Sequence, residues 1–391
     1  WWSLNPVYSY VTDLSDPANF ESHPPEHPAE PVKAWNGPLL PDTSGEKWHF
    51  MPNVWSDSTR GMNGTLSMVH TFEHDAYVGL KVPYRPSLNE RLMAGLKADP
   101  LCEVVEIGTS PGGRKLQMVR IGGNSVADKS RPRVLMYARE HGTEQDSSWV
   151  VEGAVRFLLS DDAEARSIRN EFTFLLLPVM DPDGAAASYY DRIPYSFKVR
   201  NPSPEALLYA TWFERWCDGG KRLDIALNMH NVESAEAEHL FCMYGDPGRM
   251  QASRDLHAAI VIQLSEDAPL LRVRPTIGQG YMTTRLGGWV GYYFGPLPML
   301  YEVNSQDKTR HLAPLELSDL GQQFAFGAER FLKSKSAQLY LEHIDQLRDD
   351  RSSQLALINR AGNPFETALR IQVHINLITH SKPSPLRRES D

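Results

Sequence analysis

Apolar and polar positions along the chain change rhythm near residue 84. Ahead of it, short runs with strand character (residues 66–70 and 76–82) sit among loop-like stretches. Residues 19–35 are rich in Pro, Glu and His without an apolar period, which predicts a loop. Pro83 and Pro86 close this region, so residues 1–83 are expected to form a small β-rich module. A short helix is expected over 87–97. Two β-like runs follow, 104–107 and 116–121, separated by the turn signal Ser110-Pro111-Gly112-Gly113. Residues 134–138 (VLMYA) form an unbroken apolar run, the pattern of a strand buried on both faces. In 149–159, Val151, Ala154, Val155, Leu158 and Leu159 recur at helical spacing.

The alternation continues to residue 336. Strands are expected at 172–177 (FTFLLL), 225–229 (IALNM), 240–244 (LFCMY) and 298–303 (PMLYEV). Helices are expected at 206–216, 252–264 and 317–336. Strands alternating with helices of this length imply an α/β domain with helices on both faces of a sheet, placed at 84–345. Residues 346–391 hold one short apolar stretch and end in SKPSPLRRESD, and are expected to be a partly disordered C-terminal extension.

Composition narrows the function classes. A chain of 391 residues can bury a core without disulfide or metal support. The formal charge of −9 is the wrong sign for a nucleic-acid binder, so none is expected as partner. Cys102, Cys217 and Cys242 match neither a disulfide framework nor a zinc module. No apolar run reaches the ~18 residues of a membrane span, so no membrane partner is expected. Neither GxGxxG nor GxxxxGK[ST] occurs, which argues against a nucleotide enzyme. Residue 1 is Trp, so a removed signal peptide leaves the compartment open. The cytoplasm is the favoured expectation, with periplasm or exterior as alternatives. Oligomeric state is not readable.

Chemistry in α/β domains gathers at the C-terminal ends of strands. The 134–138 strand runs into Arg139-Glu140-His141-Gly142-Thr143-Glu144, where His141 and Glu144 are three apart. The 225–229 strand delivers His230, and the 298–303 strand carries Glu302 between Tyr301 and Val303. Two imidazoles and one carboxylate suffice for a catalytic zinc shell with a position left for water, and a further carboxylate can serve as proton acceptor. HxxE alone arises often by chance, and each histidine taken singly reads equally as a core or surface residue. Spacing alone leaves both readings open. Glu302 weighs toward a site, because a carboxylate in an apolar strand is costly to bury without a partner.

Longer motifs add a resemblance. IGTSPGGRKLQMVRIG (107–122), HGTEQDSSW (141–149), PVMDPDGAA (178–186), ALNMHN (226–231) and MLYEVN (299–304) are similar, in order, to landmarks of the zinc metallocarboxypeptidases of the funnelin class. The β-rich module followed by VPYRPSLNERL (82–92) resembles the branch that includes the cytosolic carboxypeptidases. The resemblance implies a mixed central sheet flanked by helices and one zinc ion held by His141, Glu144 and His230. It implies that Glu302 takes the proton of the attacking water and passes it to the leaving amine. It implies Arg192 at the developing oxyanion, and Arg200 with Asn201 at the substrate carboxylate. The Asn-Arg order of the family is absent here, which reads Lys198-Val199-Arg200-Asn201, and Asp181 stands where the family has Asn. Tyr281 corresponds to a mobile tyrosine over the substrate. The stretch TTRLGGWVGYY (283–293) corresponds to the pocket loop, with Arg285 as reader of an acidic terminal residue. Arg139, Arg192, Arg200 and Arg285 form a candidate local cation cluster. The implied substrate is a peptide or protein C-terminus. Two alternatives stand beside it: a zinc amidohydrolase on the same scaffold, acting on peptidoglycan stem peptides or acyl-amino acids, and a catalytically dead binding domain.

Overall fold

The computed structural model describes residues 7–10, 12, 48–51, 54–56, 66–79, 81–123, 131–187, 193, 196–197, 202–218, 223–231, 238–244, 247–267, 273–279, 285–303, 314–335 and 337–342. The chain divides into two compact units, Trp1–Gln338 and Leu339–Asp391. Of the second unit only 339–342 are described, so the extension expected at 346–391 lies outside the described residues. The loop expected at 19–35 does too.

The first strands are short: β1 (Val7–Tyr10), β2 (His49–Phe50), β3 (Val54–Ser56), β4 (Leu66–Met68) and β5 (Ala76–Gly79). β1 pairs antiparallel with β2 and β5 in a three-stranded sheet, and β3 pairs with β4 in a separate ribbon. α1 (Pro86–Leu96) then starts on a proline, whose missing N–H is harmless in a first helical turn.

The main sheet follows. β6 (Cys102–Thr109) and β7 (Lys115–Ile121) form a hairpin, and β8 (Arg133–Ala138) leads to α2 (Gln145–Leu159). Next come α3 (Ala163–Glu171), β9 (Thr173–Leu177), α4 (Pro182–Ala186), α5 (Pro204–Asp218), β10 (Ile225–Asn231) and β11 (Glu238–Tyr244). The unit is completed by α6 (Pro247–Asp267), β12 (Val273–Gln279), α7 (Leu286–Phe294), β13 (Leu297–Val303) and α8 (Pro314–Leu332). Eight strands run in the order β12-β11-β13-β10-β8-β9-β7-β6. The central four, β13, β10, β8 and β9, are mutually parallel, and antiparallel pairs flank them on both sides.

Burial explains the central block. Every residue of β8 and β9 is buried, so both faces should be apolar, and past Arg133 and Thr173 at their starts both strands are. On one face α5 and α7 pack through Tyr209, Phe213, Leu286 and Trp289 against Leu135, Tyr137, Leu175 and Leu177. On the other, α2 lies against β10 and α8, and α8 lies against α6. From β8 the chain crosses to β9 on one side and then to β10 on the other. The C-terminal edge between β8 and β10 is therefore the crevice where such sheets hold ligands.

Two motifs distant in sequence meet beside this edge. Asp183 accepts from Ser110 Oγ (2.7 Å), from Gly112 N (2.7 Å) and from Arg114 Nη1 (3.0 Å). These bonds tie the β6–β7 turn to α4, whose first turn is capped by Asp181 accepting from Gly184 N at 2.8 Å.

Candidate metal centre

β8 ends at Ala138, and the chain turns through Arg139. Arg139 is the one non-glycine residue among those described with a left-handed backbone, φ 63°. That conformation costs of order 1 kcal/mol or more and survives where its surroundings enforce it. Here Arg139 Nε donates to the Gly142 carbonyl and Nη1 to the Tyr84 carbonyl, both at 2.7 Å, while Asp181 N donates to the Arg139 carbonyl at 3.1 Å. The guanidinium is fully enclosed. Burial lowers its pKa to about 10, against the pull of Tyr84, Glu144 and other acidic neighbours. The kink turns the HxxE segment toward β10.

β10 delivers His230 one residue past Met229, which pairs with Ala138 of β8. On the other side, β13 places Glu302 in register with His230. Register partners in adjacent strands project to the same face of a sheet. Glu302 is half-buried, while Tyr301 and Val303 beside it are buried.

His141, Glu144 and His230 converge. His141 Nδ1 lies 2.6 Å from Glu144 Oε1, His230 Nδ1 lies 2.9 Å from Glu144 Oε2, and the two Nδ1 atoms are 3.2 Å apart. All three residues are buried, and their ligand-capable atoms lie within 4.8 Å of one another. Burial works against charge here, but opposite charges outweigh it. Glu144 is held below the ordinary carboxylate range by His230 and His141, and His230 is pushed up to about 10 by Glu144, Glu140 and Glu302. So acidic a cluster calls for a cation, either a proton on His230 or a metal in its place.

The residues fit zinc. Tetrahedral zinc with bonds of ~2.0–2.1 Å sets its ligand atoms about 3.3 Å apart, close to the separation of the two Nδ1 atoms. Glu144 Oε2 is buried and faces His230 Nδ1 at 2.9 Å, so this oxygen points into the space between the other donor atoms, as suits a metal-facing oxygen. Nitrogen and carboxylate donors, three in number with no sulfur, are those of a catalytic zinc site with one position left open.

Comparison with known proteins agrees with this geometry. The profile of the Zinc carboxypeptidase family, Peptidase_M14, matches residues 90–234, a stretch that contains all three ligands. A metallo-carboxypeptidase structure from Pseudomonas aeruginosa superposes with a TM-score of 0.59 at 17% identity, covering 85% of this chain and 81% of that one. The chain has an M14 (funnelin) zinc-carboxypeptidase fold. Among curated proteins, human cytosolic carboxypeptidase 4 is 41% identical over 170 residues, and mouse cytosolic carboxypeptidase 3 is 24% identical over 147. Each match covers 36% of this chain, but only 15% of the human protein and 14% of the mouse protein.

Around this metal centre lie residues that sequence reasoning did not single out. Glu140 is completely buried. Its Oε2 lies 2.9 Å from Asn228 Nδ2, 3.2 Å from His230 Nε2 and 3.3 Å from Arg285 Nη1, and its Oε1 accepts from Leu286 N at 3.2 Å. Burial alone would raise its pKa, but His230, Arg285 and Asn228 bring it down to about 2. A second network joins Lys81, Asp146 and Asn231. Lys81 Nζ reaches Asp146 Oδ2 at 2.5 Å, Asn231 Nδ2 donates to the same oxygen at 2.7 Å, and Ser147 N donates to Asn231 Oδ1 at 3.1 Å. This network ties the segment after β5 to the start of α2 and the end of β10.

One expectation needs correction. The stretch 283–293 is not a loop through its length, since residues 286–294 form α7. Its three glycines weaken the helical signal, yet Gly287 is needed: its N–H donates to Tyr137 Oη at 2.7 Å, where a Cβ would meet that oxygen at 2.8 Å. Of the expected cation cluster, Arg139 and Arg285 are among the described residues. Arg139 and Arg285 are both turned inward, Arg139 onto carbonyls and Arg285 onto Glu140, leaving Arg285 only 7% exposed. Arg192, Arg200, Asn201 and Tyr281 lie outside the described residues.

Proposed function

We propose that the chain is a zinc-dependent carboxypeptidase that removes the C-terminal residue of a peptide or protein. The observation that carries this reading is the convergence of His141, Glu144 and His230 with Glu302 in register beside His230. Zinc held by those three residues supplies a Lewis acid that lowers the pKa of water and polarises the scissile carbonyl. Glu302 accepts a proton from the attacking water as its oxygen adds to the carbonyl carbon. It then returns the proton to the amine nitrogen as the C–N bond breaks.

Terminal-residue preference is a separate matter. Arg285 is engaged with Glu140, so a preference for acidic residues would require another cation. The printed names of the curated relatives favour a cytoplasmic location. Among the described residues, no helix is long and apolar enough to cross a membrane.

The test is Glu302→Gln, which keeps size and loses the base. Release of free amino acids from a peptide library should fall by at least ~100-fold while zinc content stays at the wild-type level. Retained turnover in that variant would remove Glu302 as the proton acceptor. A wild-type protein that holds zinc yet releases nothing from peptides, but cleaves peptidoglycan stem peptides or acyl-amino acids, would replace the substrate class.

A further inference from the structure

Glu140 stands immediately before the ligand His141 in sequence, yet its carboxylate reaches the other histidine ligand, His230, at Nε2. The Nδ1 atom of His230 faces Glu144 and His141, so a metal there takes the Nδ1 lone pair and leaves the ring proton on Nε2. Nε2 has two polar neighbours, Glu140 Oε2 and Arg285 Nη1, each at 3.2 Å. A guanidinium has no lone pair to offer, whereas an ionised carboxylate only accepts. With the proton on Nε2, Glu140 is therefore its acceptor. Arg285 and Asn228 donate to that same oxygen, and Leu286 N donates to the other. Four donors thus converge on one buried carboxylate.

Resting on the zinc reading above, we propose that Glu140 is a positioning residue for the metal, holding His230 in the Nδ1-binding tautomer and ring orientation. Arg285 acts through Glu140, neutralising its charge and keeping it aimed at the imidazole, and does not read the substrate's side chain. Partners of this kind typically change metal affinity or activity by ~10–100-fold when removed.

The test measures zinc affinity of metal-stripped protein by competition with a chromophoric chelator, and the visible absorption of the cobalt-substituted protein. Glu140→Gln should weaken zinc binding by about 10- to 100-fold and shift the cobalt bands. Because Glu140→Gln leaves Arg285 buried without its counter-charge, the double variant Glu140→Gln/Arg285→Gln, which removes both charges, is measured beside it. The double variant should show the same loss as the single one to within about threefold. Zinc affinity within twofold of wild type and unchanged cobalt bands in either folded variant would overturn the positioning role, even if its melting temperature had fallen. Failure of the zinc reading itself has a different signature: wild-type and His230→Ala proteins would then bind zinc equally.

Discussion

Replacing Gly321 by Ala sets one methyl group where two helices meet backbone to backbone. A Cβ on Gly321 would lie 2.0 Å from the Val150 carbonyl oxygen and 2.5 Å from Ala154 N. Gly153 mirrors it from α2, where a Cβ would meet the Ser318 carbonyl oxygen at 2.2 Å and Ser318 Cα at 2.3 Å. These are main-chain atoms, so no rotamer change relieves the clash. Non-bonded carbon contacts settle near ~3.5 Å, so α2 and α8 must part by roughly 1 Å or more. Parting them loosens Val150, Ala154, Leu317 and Phe324, all buried along this seam. Overpacking of this kind costs about 1–3 kcal/mol, and rigid backbone on both sides places the cost at the upper end. The better helix propensity of Ala returns only about 1 kcal/mol, leaving a net loss of about 2 kcal/mol. Gly95, exposed near the end of α1, is the control, because a Cβ there meets nothing within 4 Å. Gly95→Ala should stabilise by about 0.5–1 kcal/mol. Urea unfolding of the metal-free protein reads both as shifts of midpoint at constant slope, downward for Gly321→Ala and upward for Gly95→Ala. A Gly321→Ala midpoint at or above wild type would refute the close approach of α2 and α8. The placement of α2, which carries the chain away from Glu144, would then need revision.

Asp183→Asn should cost about 1–3 kcal/mol, because Ser110, Gly112 and Arg114 all donate to that carboxylate. These donors outweigh burial and hold the folded pKa of Asp183 below its ordinary value. Its stabilisation is therefore present above the unfolded value of ~3.9 and lost as pH falls through the lower folded one. Unfolding midpoints of wild type and Asp183→Asn should differ at pH 7 and converge under strong acid; an acid-independent gap would contradict this. Cys102 has its thiol pushed up to about 11 by burial and by Asp99. It should alkylate far more slowly at pH 8 than a free thiol, as mass-resolved iodoacetamide labelling would show.

The central strands were legible because parallel strands buried on both faces read as near-continuous apolar runs; residues 134–138 are such a run, and 172–177 and 298–303 are interrupted only by Thr173 and Glu302. α3 was not legible, since only Ala165, Ile168 and Arg169 of its nine residues are buried and an apolar period barely exists. β12 contains Pro275 and lies at the sheet's edge, where pattern constrains a strand least. In the site, His141, Glu144, His230 and Glu302 could be singled out because each sits at or beside the end of an apolar strand. Glu140 could not. Adjacent to a ligand, it read as part of the motif, and its purpose depends on Asn228 and Arg285, which are 88 and 145 positions away in sequence. The contact of Arg285 with Glu140 was not legible for the same reason: a cation in a glycine-rich stretch looks free until its buried partner is seen.

The most direct test of the central claim is zinc titration into metal-stripped protein while release of C-terminal amino acids from peptides is followed. Activity should be absent at the start, rise in proportion to added zinc and level off at one equivalent per chain, with no such rise in His230→Ala. Release that survives metal stripping, or that does not depend on His230, would contradict a catalytic zinc at His141, Glu144 and His230.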